Sequence, residues 1–128
     1  MNRRGFTLIE LLVVLVVLAV LTAIIAPNYL DRVSQAREVT LKHNLVGMRS
    51  AIDQFHRDKG RYPDALQELV DARYVRAVPE DPLTQRSDTW VVIAPSRGAS
   101  SPAAAGKVFD VRSGAPGQAS DGSAFSAW

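Results

Sequence analysis

The chain has 128 residues, of which 47% are hydrophobic and 22% are charged, and its formal net charge is +2. It contains no Cys, which excludes a disulfide-stabilised scaffold, a cysteine-ligated zinc site and a cysteine nucleophile. The length suits one modest hydrophobic core. Beyond residue 58 the basic and acidic residues balance, so the charge of that part does not indicate a nucleic-acid-binding module.

An unbroken apolar segment lies close to the N-terminus. Residues 11–26 read LLVVLVVLAVLTAIIA and contain no charged side chain. Together with residues 6–10 they supply about 20 mostly apolar positions, enough for a helix of ~30 Å across a bilayer. So short a chain cannot bury such a run on all sides, and we therefore expect a membrane-spanning helix. Arg3 and Arg4 precede it and favour a cytoplasmic N-terminus, with the C-terminal part outside.

Two interpretations of this N-terminus are open. The end of the apolar run, residues 22–27, offers a weak cleavage site of an ordinary secretory signal. Alternatively, Gly5-Phe6-Thr7-Leu8-Ile9-Glu10 directly before the apolar run closely resembles the type III signal of type IV pilins and type II secretion pseudopilins. This resemblance implies that prepilin peptidase, a membrane aspartyl protease, cuts between Gly5 and Phe6 and methylates the new amine of Phe6. Residues 1–5 would then be a leader, and the apolar segment would stay in the mature protein.

Glu10 places a carboxylate inside the apolar segment, at a cost of about 2.5–3.5 kcal/mol at mid-bilayer and less near an end. The pattern Thr7-x-x-Glu10 predicts a local solution, a capping box at the start of the helix. The family resemblance implies a second role, in which Glu10 meets the N-terminal amine of a neighbouring subunit during filament assembly. The two roles are compatible, one in the membrane and the other in the filament.

Pro27 interrupts the helical pattern, because a proline inside a helix removes one hydrogen bond and bends the chain. The pattern resumes at once, so we predict a bend within one long helix rather than its end. Residues 6–26 form the transmembrane and assembly part, and 27–58 an amphipathic continuation. One apolar stripe follows spacings of 4, 3, 4 and 3 through Leu41, Leu45, Met48, Ile52 and Phe55. His43 and His56 in this helix are expected to be partly exposed polar positions rather than metal ligands.

Residues 59–128 are predicted to form a small globular part. Gly60 ends the helix, and Asp64 is expected to cap a short helix over residues 65–70. Strands are predicted over 89–94 and 107–112, joined by an exposed loop over 95–106. Phe125 and Trp128 are expected to pack the Gly- and Ser-rich tail against the rest. The expected class is α+β, a long N-terminal helix packed on a domain with a short helix and a small antiparallel sheet.

Later segments narrow the resemblance to the major, G-type pseudopilins of type II secretion. Residues 53–63 (DQFHRDKGRYP), 78–82 (VPEDP) and 109–117 (FDVRSGAPG), with Trp128 at the end, resemble that group. The resemblance implies a single-pass protein of the bacterial inner membrane with a periplasmic C-terminal part. Its implied partners are other copies of the chain, other pseudopilins, prepilin peptidase and the inner-membrane secretion platform, with no nucleic acid.

The implied function is a structural subunit of a pseudopilus that helps to export folded proteins across the outer membrane, without enzymatic activity. A type IV pilin for adhesion, motility or DNA uptake is the alternative. A membrane-anchored enzyme is a third hypothesis. The sequence does not support it, because it contains no Cys, no suitably spaced His pair and no nucleophile motif.

Calcium is where the sequence departs from the group it resembles. The resemblance implies a calcium ion in the C-terminal loop, bound by several acidic side chains just before the terminal aromatic residue. This chain keeps Asp121, but Ser123 and Ala124 stand about where carboxylates are expected. Asp110 is the other candidate ligand, although its place in an alternating strand predicts that it faces solvent. We therefore expect a weak calcium site at best.

Overall fold

A computed structural model describes residues 4–96 and 106–128. Helix α1 spans Leu8–Lys59, helix α2 spans Leu66–Asp71, strand β1 spans Val91–Ile93 and strand β2 spans Asp110–Arg112. A single 3₁₀ turn, Phe125–Ala127, closes the chain. The expected α+β class with one long N-terminal helix is confirmed. The predicted loop over 95–106 lies, apart from residues 95, 96 and 106, outside the described residues, as do leader residues 1–3.

Helix α1 runs through two compact units, which divide between Gln35 and Ala36. In the first unit the apolar side chains of the helix are exposed, from Leu8 through Leu30. The helix ends at Lys59, where Gly60 adopts a positive φ of 71° and donates its N–H to the carbonyl of His56 over 2.9 Å. This left-handed residue is the helix terminator that the sequence predicts, because only glycine takes the conformation without strain.

The second unit is built around the predicted apolar stripe of α1. All five stripe residues are buried, with exposed fractions between 0% and 2%, so the prediction is confirmed. Residues of α2, β2 and the 3₁₀ turn, but none of β1, belong to the same buried cluster, namely Leu69, Val111 and Phe125, together with Val108 just before β2. Burying one such side chain stabilises the fold by about 1.5–3 kcal/mol, so this cluster supplies the main driving force for folding of the unit.

The start of α2 corrects one prediction. Ala65, not Asp64, is the N-cap residue, and no side chain caps the helix. Instead, Glu68 in the first turn reaches back, and its Oε2 accepts the backbone N–H of Asp64 over 2.7 Å. The same carboxylate forms a two-point pair with Arg61, in which Nη1 lies 3.3 Å from Oε2 and Nη2 bonds Oε1. Glu68 therefore binds the backbone just before the helix, and the Asp64 side chain does not serve as the predicted cap.

The sheet has two antiparallel strands, with Val91 opposite Arg112, Val92 opposite Val111 and Ile93 opposite Asp110. Both strands are shorter than predicted. The expectation that Asp110 faces solvent is wrong, because Arg49 of α1 donates from Nε to Asp110 Oδ1 over 2.7 Å and from Nη2 to the carbonyl of Val111 over 2.9 Å. Strand alternation fixes the side of the sheet on which a side chain lies, but a long guanidinium from α1 can still reach a residue there.

Candidate functional site

The N-terminal part of the candidate site begins where α1 begins. Thr7 is the residue before the helix, and its Oγ1 accepts the backbone N–H of Glu10 over 3.3 Å. The Thr7 carbonyl accepts the N–H groups of Glu10 and Leu11 over 3.1 and 3.2 Å. This is one half of the predicted capping box. Within residues 4–96 and 106–128 no hydrogen bond to the Glu10 carboxylate is found, so the other half is not formed.

Gly5 and Phe6, the residues of the predicted cleavage site, precede the helix and are exposed, Phe6 to 88%. Together with Arg4 and Glu10 they line one open cleft. The fold thus brings the predicted cleavage junction and the predicted assembly carboxylate to the same place, one helical turn apart. The Gly5–Phe6 peptide is accessible to a protease, because both residues are exposed and neither is held in a helix.

The apolar part of α1 meets the length and composition of a membrane span. Its most apolar 18-residue window has a mean hydropathy of 3.2, with none of that window buried, and it is the one such helix in the part of the chain that the structure describes.

In lipid, every backbone polar group needs a partner within the protein. Pro27 lies inside the helix and has no N–H to donate. Close to it, Asn28 Nδ2 donates to the carbonyl of Ile24 over 3.4 Å.

The C-terminal loop, defined here as residues 118–128, folds on itself. Asp121 Oδ1 accepts the N–H of Ser123 over 2.9 Å and also its hydroxyl. These bonds, the hydroxyl first, hold the pKa of the Asp121 carboxyl below its ordinary value. Ser123 Oγ also accepts the Trp128 indole N–H over 2.7 Å, and the Trp128 ring meets that of Phe125 edge-on at 5.3 Å. Phe125 is buried, so the predicted anchoring of the tail by these two aromatic residues is confirmed.

The candidate ligands Asp110 and Asp121 do not suit a calcium ion. Calcium takes six to eight oxygen ligands and favours several carboxylates. Asp110 is bound by Arg49 and Asp121 by Ser123, and no cluster of three or more His, Cys, Asp or Glu residues capable of holding a metal occurs among the described residues. The two candidate ligands named from the sequence therefore each have a protein partner already.

His56 stacks on Tyr62, with ring centroids 4.1 Å apart, while His43 is exposed. Neither belongs to a metal-binding cluster within the described residues.

Three contacts of the structure are not predicted from the sequence. Asp81, fully buried, accepts a hydrogen bond from Ser113. Its place before Pro82 in a turn-forming sequence was an available signal, because Asp favours turns in which its side chain binds backbone N–H groups. Glu38 and Lys42 of α1 contact the C-terminal loop, and no local pattern could have revealed contacts across some 80 residues.

Comparison with known proteins gives two kinds of match. Residues 1–26 match the family model described as a prokaryotic N-terminal methylation motif. Over 97 residues the chain is 34% identical to type II secretion system core protein G of Klebsiella pneumoniae, which covers 63% of this chain and 69% of that protein. It is 32% identical over 90 residues to the core protein G of Pectobacterium carotovorum, covering 70% of this chain and 58% of that protein.

A third relative is the type IV major pilin protein PilA of Myxococcus xanthus, 36% identical over 68 residues, which span 53% of this chain and 31% of that protein. No solved structure matches the chain.

Proposed function

Because this chain belongs to the type II secretion system core protein G family, we propose that it is processed between Gly5 and Phe6 and assembles through Glu10. It is a structural pseudopilin subunit, held in the inner membrane by a single N-terminal helix. The N-terminus faces the cytoplasm and the unit from Ala36 onwards faces the periplasm, as the arginines of the leader favour. The assembled pseudopilus helps to export folded proteins across the outer membrane.

One observation carries this proposal, the shared cleft of Gly5, Phe6 and Glu10 at the start of α1. Cleavage removes the leader and creates a positive amine on Phe6. A carboxylate that has no bond within the described residues at this position favours a positive partner, because an unpaired charge in a low-dielectric environment is costly. The amine of a neighbouring copy provides that partner in the filament.

The proposed partners follow from this role. Prepilin peptidase processes the chain. Other copies of the chain and other pseudopilins assemble with the mature subunit, and the inner-membrane secretion platform binds it. The chain itself carries out no catalysis, since its relatives are structural subunits and the work of assembly comes from elsewhere.

The processing step is tested by mass spectrometry of the full chain, expressed with and without prepilin peptidase. With the enzyme, we expect loss of residues 1–5 and one methyl group on Phe6, while without it the chain stays intact. The matched control is Gly5→Val, which should block cleavage because a branched side chain stands at the cut. A mature chain that begins after Ala26 would contradict the proposal and indicate an ordinary secretory signal.

The similarity to a type IV major pilin supports a second candidate function, that of a type IV pilin subunit. Complementation of two bacterial strains, one without its core protein G and one without its major pilin, distinguishes the two functions. We expect this chain to restore export of a secreted protein in the first strain, and not to restore surface pili in the second. The reverse result would favour the pilin.

A further inference from the structure

The C-terminal loop is held to α1 by two side chains one helical turn apart. Glu38 accepts the backbone N–H of Ser120 over 2.8 Å and its hydroxyl over 2.7 Å. Lys42 places its ammonium 4.3 Å from the centroid of the Trp128 ring. Residues four apart lie on the same face of a helix, so both reach the loop from one side. One carries a negative and the other a positive charge, and each contacts a different end of the loop.

The ammonium of Lys42 also acts on the carboxylate inside the loop. After the two bonds from Ser123, the positive charge of Lys42 contributes to the lowered pKa of Asp121. A fixed positive charge near the one acidic side chain of the loop stabilises that carboxylate. It also opposes a divalent cation, because two positive charges repel in the same small volume.

We propose that Glu38 and Lys42 form an internal clasp, the Glu38–Lys42 clasp, which closes the C-terminal loop on α1 in place of a metal ion. The cation of the loop is thus a side chain of the protein itself. Closure then needs no calcium, in contrast to what the family resemblance implies. Asp110 is engaged by Arg49, Asp121 by Ser123 and Glu38 by Ser120, so each of these carboxylates already has a protein partner, whereas a calcium ion favours several free carboxylates.

The clasp predicts a distinct set of responses. The loop should keep its order in the presence of a chelator, and it should lose order when the charge of Lys42 is removed. A loop closed by a metal would show the opposite pattern. These responses concern the subunit alone, so they stay distinguishable from failure of processing or assembly.

The test is hydrogen–deuterium exchange of the full chain in detergent micelles, read by mass spectrometry on the peptide covering residues 118–128. For the native sequence we expect the same exchange with EDTA and with millimolar calcium chloride. Lys42→Met should speed exchange of this peptide about 2- to 5-fold, the size expected for an exposed cation–π contact. Lys42→Arg should restore slow exchange, because guanidinium also binds aromatic faces.

Two further variants sharpen the test. Glu38→Gln should speed exchange about 3- to 10-fold, since charge-assisted hydrogen bonds are about twice as strong as neutral ones. Lys107→Met removes an exposed lysine elsewhere and should leave residues 118–128 unchanged. Calcium that slows exchange in the native chain would overturn the proposal. The proposal would also be overturned if the Lys42→Met variant exchanged residues 118–128 as slowly as the native chain. The same holds if this variant sped exchange of residues 41–55 as much as that of the loop.

Discussion

The hydroxyl of Ser113 donates a 2.7 Å hydrogen bond to Oδ2 of Asp81, thirty-two positions earlier in the chain. Both residues are 0% exposed. The other carboxylate oxygen, Oδ1, accepts the backbone N–H groups of Leu83 and Thr84 over 2.8 and 3.4 Å. One buried carboxylate thus ties the Pro-rich loop before β1 to the chain that leaves β2.

This geometry predicts a large effect at Asp81. Asp81→Ala leaves the Ser113 hydroxyl and two backbone N–H groups without partners, and we expect a loss of about 3–5 kcal/mol in the free energy of unfolding. Asp81→Asn has nearly the same shape and keeps an acceptor, so about 1–2 kcal/mol is expected. Urea unfolding of the detergent-solubilised chain, followed by near-ultraviolet circular dichroism, measures both. Asp88→Asn, at an exposed pair with Arg86, is the control and should leave the midpoint unchanged.

The Arg61–Glu68 pair predicts a dependence of stability on pH. The guanidinium of Arg61, and then the Asp64 backbone N–H, hold the pKa of the Glu68 carboxyl below its ordinary value of 4.5. A lowered pKa in the folded state stabilises the fold above the unfolded value, and this contribution is lost as pH falls through the folded pKa.

The stability difference between the native chain and Glu68→Gln should accordingly be constant from pH 7 to pH 6 and shrink below about pH 4.5. Thermal midpoints across this pH range measure it. A difference that grows on acidification would contradict the assigned direction of the pKa shift.

Two glycines provide a matched pair of substitutions with opposite signs. A Cβ at Gly114 would lie 2.1 Å from the carbonyl oxygen of Thr89, whereas at Gly47 it would meet nothing within 4 Å. Gly114→Ala should therefore destabilise the fold by about 2 kcal/mol or more, because backbone has to move. Gly47→Ala should stabilise it by about 0.5–1 kcal/mol, since alanine is the better residue inside a helix. Urea midpoints of the two variants should move in opposite directions.

Glu10 gives a prediction about assembly. Glu10→Ala leaves the Gly5–Phe6 junction intact and makes membrane insertion easier, so processing should be normal. Filament assembly should fail or slow strongly, because the charge that meets the neighbouring amine is gone. Electron microscopy and shearing assays of cells with the secretion apparatus measure assembly. Thr7→Ala is the comparison, since it removes the cap and keeps the carboxylate. Normal assembly of the Glu10→Ala variant would contradict the assembly role and leave Glu10 only a role at the start of the helix.

Much of the fold follows from local sequence patterns. The apolar stripe from Leu41 to Phe55 shows the helical period directly, and Gly60 marks the end of α1 as predicted. The Gly5–Glu10 motif likewise places all residues of the N-terminal site within one short segment. Such features need only neighbours in the sequence, which is why they can be derived without coordinates.

The remaining features depend on partners far away in the chain. The partner of Asp110 is Arg49, sixty-one positions earlier, and that of Ser120 is Glu38, eighty-two positions earlier. Strand alternation gives Asp110 a face but no partner. The prediction of a cap at Asp64 failed for a different reason, because α2 begins one residue later than predicted and Ala65 takes the N-cap position.

The contact between Glu38 and Ser120 also bears on how the chain folds during its synthesis. The ribosome completes the apolar stripe of α1 about 70 residues before Phe125, an interval of roughly 4–14 s at typical elongation rates. Val108, Val111 and Phe125, which pack with the stripe in the finished protein, are added only in the last part of that interval. The nascent subunit therefore carries an uncovered apolar stripe on α1 until its last residues have been synthesised.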